Sequence, residues 1–81
     1  MSSNHEMQLV NMTNQIATNL GGGRDEEAAA AATCRHLETF WARSMKQRLV
    51  ATLAHGDNGL TPLAKRAVSL LAERLDERQA G

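Results

Sequence analysis

Tyrosine is missing from this 81-residue chain, and phenylalanine, tryptophan, cysteine and proline occur once each. A single cysteine excludes an internal disulfide and suits a reducing compartment. It also excludes an iron–sulfur cluster held by this chain alone, because such clusters take about four thiolates. No window approaches the roughly 18 apolar residues of a membrane span, and Met1 to Met7 lacks a basic segment leading into an apolar one. These absences predict a cytoplasmic protein with no membrane association. Net charge is zero, nine Lys and Arg against nine Asp and Glu. Nucleic-acid affinity rests mainly on phosphate neutralisation, so nucleic acid is an unlikely partner for a neutral chain.

Strand-like alternation is also lacking, whereas helical spacing recurs four times. A first helix is predicted over Asn4 to Leu20, with Leu9, Met12, Ile16 and Leu20 inward and Val10 and Ala17 widening the stripe. Gly21 is placed to end it in the left-handed conformation. Asp25 is a good N-cap for a second helix, "EEAAAAATCRHLETFW", whose early Glu26 and Glu27 favour the helix dipole. Ala30, Cys34, Leu37 and Trp41 share one stripe of it, and Ala29, Ala32, His36 and Phe40 a flanking one. Trp41 is therefore expected to be central and Phe40 lateral.

Ser44 and Gln47 match a capping box, which predicts a third helix from Met45 and a C′ glycine at Gly56. Nothing in Ala42-Arg43-Ser44 forbids one continuous helix instead. Thr61 and Pro62 mark a fourth helix as N-cap and first helical residue. The expectation is an all-α fold, a small bundle of three to four helices forming a single domain over residues 1–81, with 1–3 and 76–81 frayed. Its core would join Leu9, Ile16, Leu37, Trp41, Leu49, Leu53, Val68 and Leu71.

Reactive groups do not converge. Cys34 and His36 stand two apart on a helix and face different sides, so a thiol–imidazole pair is not expected. No CxxC or HxxxH supports zinc. Gly21-Gly22-Gly23 lacks the Lys-Ser/Thr of a phosphate loop, and the acidic residues after it would repel an anion. No catalytic, cofactor-binding or metal-binding residue is assigned. The third and fourth helices superficially resemble a helix-turn-helix, which makes a small DNA-binding regulator the alternative reading. Against it, the leading end of the fourth helix lacks the long polar side chains of base readout.

What remains is surface for protein contact. Arg35, Arg43, Lys46 and Arg48 outnumber Glu38 locally, which fits either a solvated helix face or an acidic partner. Aromatic, Met and Arg side chains are enriched at interfaces. Phe40, Trp41, Arg43, Met45 and Arg48 are therefore the expected partner-contacting residues, with Trp41 shared between core and interface.

Four segments in order, "LVNMTNQIATNL", "DEEAAAAATCRHLETFW", Met45 and "GLTPLAKRAVSLL", resemble the delta subunit of soluble, molybdenum-containing, NAD-dependent formate dehydrogenases. The resemblance covers Leu9 to Leu75. The chain departs from the family pattern at Arg43-Ser44, where the family has Pro-Arg, and at Asn19-Leu20, where it often has an aromatic pair. The resemblance implies a complex that carries a molybdenum cofactor, iron–sulfur clusters, flavin and NAD in its other subunits. It implies for this chain an accessory, non-catalytic role. The chain would bind the large alpha subunit, and other subunits with it, to support assembly, molybdenum-cofactor insertion or stability.

Overall fold

The computed structural model describes residues 2–80, and side chains over 5–77. Met1 and Gly81, among the ends expected to fray, lie outside the described residues. Four α-helices are present there: α1 (Ser2–Gly21), α2 (Glu26–Phe40), α3 (Arg43–Ala51) and α4 (Pro62–Ala80), with a 3₁₀ turn, Thr52–Ala54, after α3. The described residues contain no strand, so the expected all-α bundle is what forms.

α2 is the central element, because it packs on both α1 and α4. Its start follows from the sequence. The Asp25 carboxylate accepts from the Ala28 amide at 2.7 Å, satisfying one of the unpaired donors of the first turn. α4 starts by the same device, since the Ala64 amide donates to Thr61 Oγ1 at 3.2 Å and Pro62 takes the first helical position.

The glycine expected to end α1 in the left-handed conformation is a different one. Gly21 is the last helical residue, and Gly23 takes positive φ, 77°. Gly21 serves a close approach instead: a Cβ there would lie 3.1 Å from Leu63 Cδ2 and 3.7 Å from Ala29. Gly56 likewise has no positive φ; Gly59 does, at 80°. Because α3 ends at Ala51 and tightens into a 3₁₀ turn, the αL position moves to the loop before α4.

The expected capping box does not form either. α3 starts at Arg43, not Met45, and its N-cap is Ala42, which makes no side-chain cap hydrogen bond. Helices two and three are separate all the same. Trp41 (φ −94°, ψ 142°) and Ala42 (φ −64°, ψ 152°) are both extended, so the chain turns over two residues without a proline.

The core joins Leu9, Val10, Cys34, Leu37, Trp41, Leu49, Val68 and Leu71. Ile16 and Leu53, expected inside, are half-buried at its margin. The inward face of α1 is rotated from the expected stripe: Val10, Thr13 and Ala17 are buried with Leu9, while Met12 is 45% exposed. Thr13 fits because it donates its hydroxyl to the Leu9 carbonyl at 2.8 Å, and Thr33 does the same to Ala29 in α2. A buried hydroxyl so paired carries little penalty.

Leu37 is wholly buried at the middle of α2. Leu37→Ala should lower unfolding free energy by about 2–5 kcal/mol in urea denaturation. Asp25→Ala should cost about 1 kcal/mol, whereas Ser44→Ala, with no cap to lose, should stay within about 0.5 kcal/mol.

Candidate partner-binding face

Phe40 is the last residue of α2 and is 72% exposed, whereas Trp41, next in the chain, is 8% exposed. The helix ends between them. The Trp41 amide still donates to the Leu37 carbonyl at 3.0 Å, but its side chain turns into the core. Lys46 closes the elbow from α3. It is buried, and its Nζ donates to the Glu38 carbonyl at 3.3 Å. A cation here meets the negative end of the α2 dipole. The Glu38 carboxylate faces Arg74 of α4 at 3.6 Å. Helices α2, α3 and α4 are thus tied together near the end of α2.

The outer side of α2 is a shallow groove of about 570 Å³ lined by Leu20, Arg24, Ala28, Ala31, Ala32, Arg35, His36, Thr39 and Phe40. Its axis follows helical spacing: Ala28, Ala32, His36 and Phe40 recur every four residues, and Ala31, Arg35 and Thr39 form the next row. The Phe40 ring tilts against His36 with centroids 4.7 Å apart. Arg24 and Arg35 make no ion pair among the described residues, and no carboxylate lines the groove.

The five residues expected at an interface separate by direction. Phe40, Arg43 and Arg48 are exposed, while Trp41 is buried and Met45 packs half-buried against the core. Arg43 and Arg48 are five residues apart, about 140° around a helix, so they do not form one stripe. The local basic excess also divides: Lys46 turns inward to the elbow, and Arg35 belongs to the groove on α2. Arg24 is the member that local charge counting missed. It lies in the turn before α2, where helical spacing does not place a side chain.

A second groove, of about 640 Å³, lies between the start of α1 and the loop before α4, and includes Glu6, His55 and Asp57. Among the described residues, no three His, Cys, Asp or Glu side chains are placed to hold a metal ion. Ten residues separate α3 from α4, far more than the three or four of a helix-turn-helix. Arg66 of α4 is also engaged, in a two-pronged pairing with Glu27 at 2.8 and 3.2 Å. That pairing lowers the Glu27 pKa and raises that of Arg66.

Burial pushes the Cys34 thiol up to about 11, and the nearby Glu38 carboxylate adds to the effect. The thiol is therefore protonated at neutral pH and a poor nucleophile. Alkylation with iodoacetamide at pH 8 should be at least about tenfold slower in the native chain than in the unfolded one. Since the folded pKa lies above the ordinary value, this group's share of stability is intact below pH 9 and lost as pH rises towards 11. A melting temperature that falls over that interval, less so in Cys34→Ala, is the expected result.

The family model described as NADH-dependent formate dehydrogenase delta subunit FdsD aligns with residues 8–68. No curated protein and no solved structure matches the chain significantly. The matched span takes in α1 from Gln8, all of α2 and α3, and α4 as far as Val68. The chain belongs to this family, and membership implies association with the other subunits of a formate dehydrogenase complex.

Proposed function

We propose that this delta-subunit family member is a non-catalytic accessory subunit of a cytoplasmic NAD-dependent formate dehydrogenase. It acts by holding the large, molybdenum-containing alpha subunit, with the other subunits as further contacts. By that contact it supports assembly, molybdenum-cofactor insertion or stability. The observation that carries this reading is the uncovered Phe40 ring at the elbow between α2 and α3, in a chain of this family. Aromatic side chains are enriched at protein contacts, and this one is left uncovered within the chain. The mechanism is mass action: a subunit that binds only the mature form of its partner raises that form's population.

Phe40, Arg43 and Arg48 would reach the partner directly. Trp41 and Met45 would hold the elbow from below. The molybdenum cofactor, iron–sulfur clusters, flavin and NAD belong to the other subunits in this reading. A lone cysteine in this chain is in keeping with that division. No helix among the described residues is long and apolar enough to cross a membrane.

Arg43→Glu combined with Arg48→Glu should weaken copurification with the alpha subunit and leave the helical circular dichroism unchanged, because both side chains are exposed. A folded double variant that copurifies undiminished would remove α3 from the interface.

A further inference from the structure

We infer that the groove on the outer side of α2 is a helix-docking site, and that its occupant is an acidic amphipathic helix of a partner formate dehydrogenase subunit. The inference rests on the accessory-subunit reading and specifies the contact chemistry.

Its floor is made of Ala28, Ala31 and Ala32, with Leu20 beside them. Side chains this small let another helix come close, and the distance between packed helices is set by the residues at the contact. One end is closed by the projecting Phe40 ring, braced on His36. From Ala28 to Phe40 the floor runs about 18 Å, which matches roughly 12 residues of a partner helix. A knob at the end of an apolar trough gives an amphipathic helix both register and direction.

Charge selects the occupant. Arg24 and Arg35 border the groove without intrachain ion-pair partners, and nothing acidic lines it. Of the carboxylates at the start of α2, Asp25 caps the helix and Glu27 holds Arg66, and none of the three, Glu26 included, lines the groove. A partner helix with Asp or Glu flanking its apolar stripe would complement this edge. A second copy of the chain would not. Its own groove presents the same two arginines and no carboxylate, so it offers no opposite charge to this edge.

The test is coexpression of the full chain with the formate dehydrogenase subunits, followed by affinity capture on this chain. Three variants change only exposed groove positions: Phe40→Ala, Arg24→Glu with Arg35→Glu, and Ala31→Gln, which fills the trough without removing charge. Each should keep its helical circular dichroism and lose captured large subunit by about tenfold or more. Wild-type capture should weaken as salt is raised. A photoreactive side chain at Thr39 should crosslink to one helix rich in Asp and Glu. Capture of the large subunit at wild-type levels by all three variants would overturn the docking site alone. So would a crosslink to a second copy of this chain. A wild-type chain that captures no formate dehydrogenase subunit would overturn the functional reading itself.

Discussion

Burial of the Trp41 indole decides where α2 stops, and most of the molecule is arranged around that stop. A residue carried into the core from the end of a helix needs its backbone to leave the helix, and Trp41 and Ala42 do so in extended conformations. Leu37 below and Leu49 beyond are fully buried in the same cluster. Lys46 answers the carbonyl end of α2 with its ammonium group. The break is thus enforced by tertiary contact. No proline, glycine or side-chain cap is present at Trp41-Ala42 to enforce it locally. With the indole held inward, Phe40 becomes the terminal helical residue and points out.

That division explains which features could be read from the sequence. Asp25 before two glutamates, and Thr61 before Pro62, are chemical signals that act within one turn, and they work as the pattern implies. The inward position of Trp41 and the outward one of Phe40 also follow from spacing. Ser44 could not be judged the same way, because a capping side chain competes with packing that is invisible in a linear pattern. Met12, expected inward, lies outside for a related reason, while Val10 at the margin of the expected stripe is buried. The buried Thr13 rotates the α1 face, and hydropathy gives no credit to a hydroxyl that satisfies itself on its own helix. Lys46 reads as surface charge in the sequence, because its carbonyl partner lies across the elbow on another helix. The groove was half legible, as a row every four residues in α2, but its Arg24 edge comes from the turn before the helix.

The alanine run has two neighbours to serve. Five consecutive alanines pass all the way around α2, so Ala29 and Ala30 are buried inside while Ala28 and Ala31 are exposed. On the inner side their size lets the glycine end of α1 come close to Ala29, with Leu63 of α4 packed against the same glycine. The outer side has the same low relief. A composition that looks like plain helix propensity therefore shapes two surfaces, one of them covered within the chain.

Asn14 sets a different limit. From the middle of α1 its amide donates to the Gly59 carbonyl at 2.9 Å and accepts from the Thr61 amide at 3.0 Å. One side chain thereby clasps the residue before Pro62 to a helix more than forty positions earlier. Peeling away α1 would also unfasten the start of α4. Opening at the amino end therefore also frees backbone groups in the loop before α4, which couples two elements that are far apart in the chain.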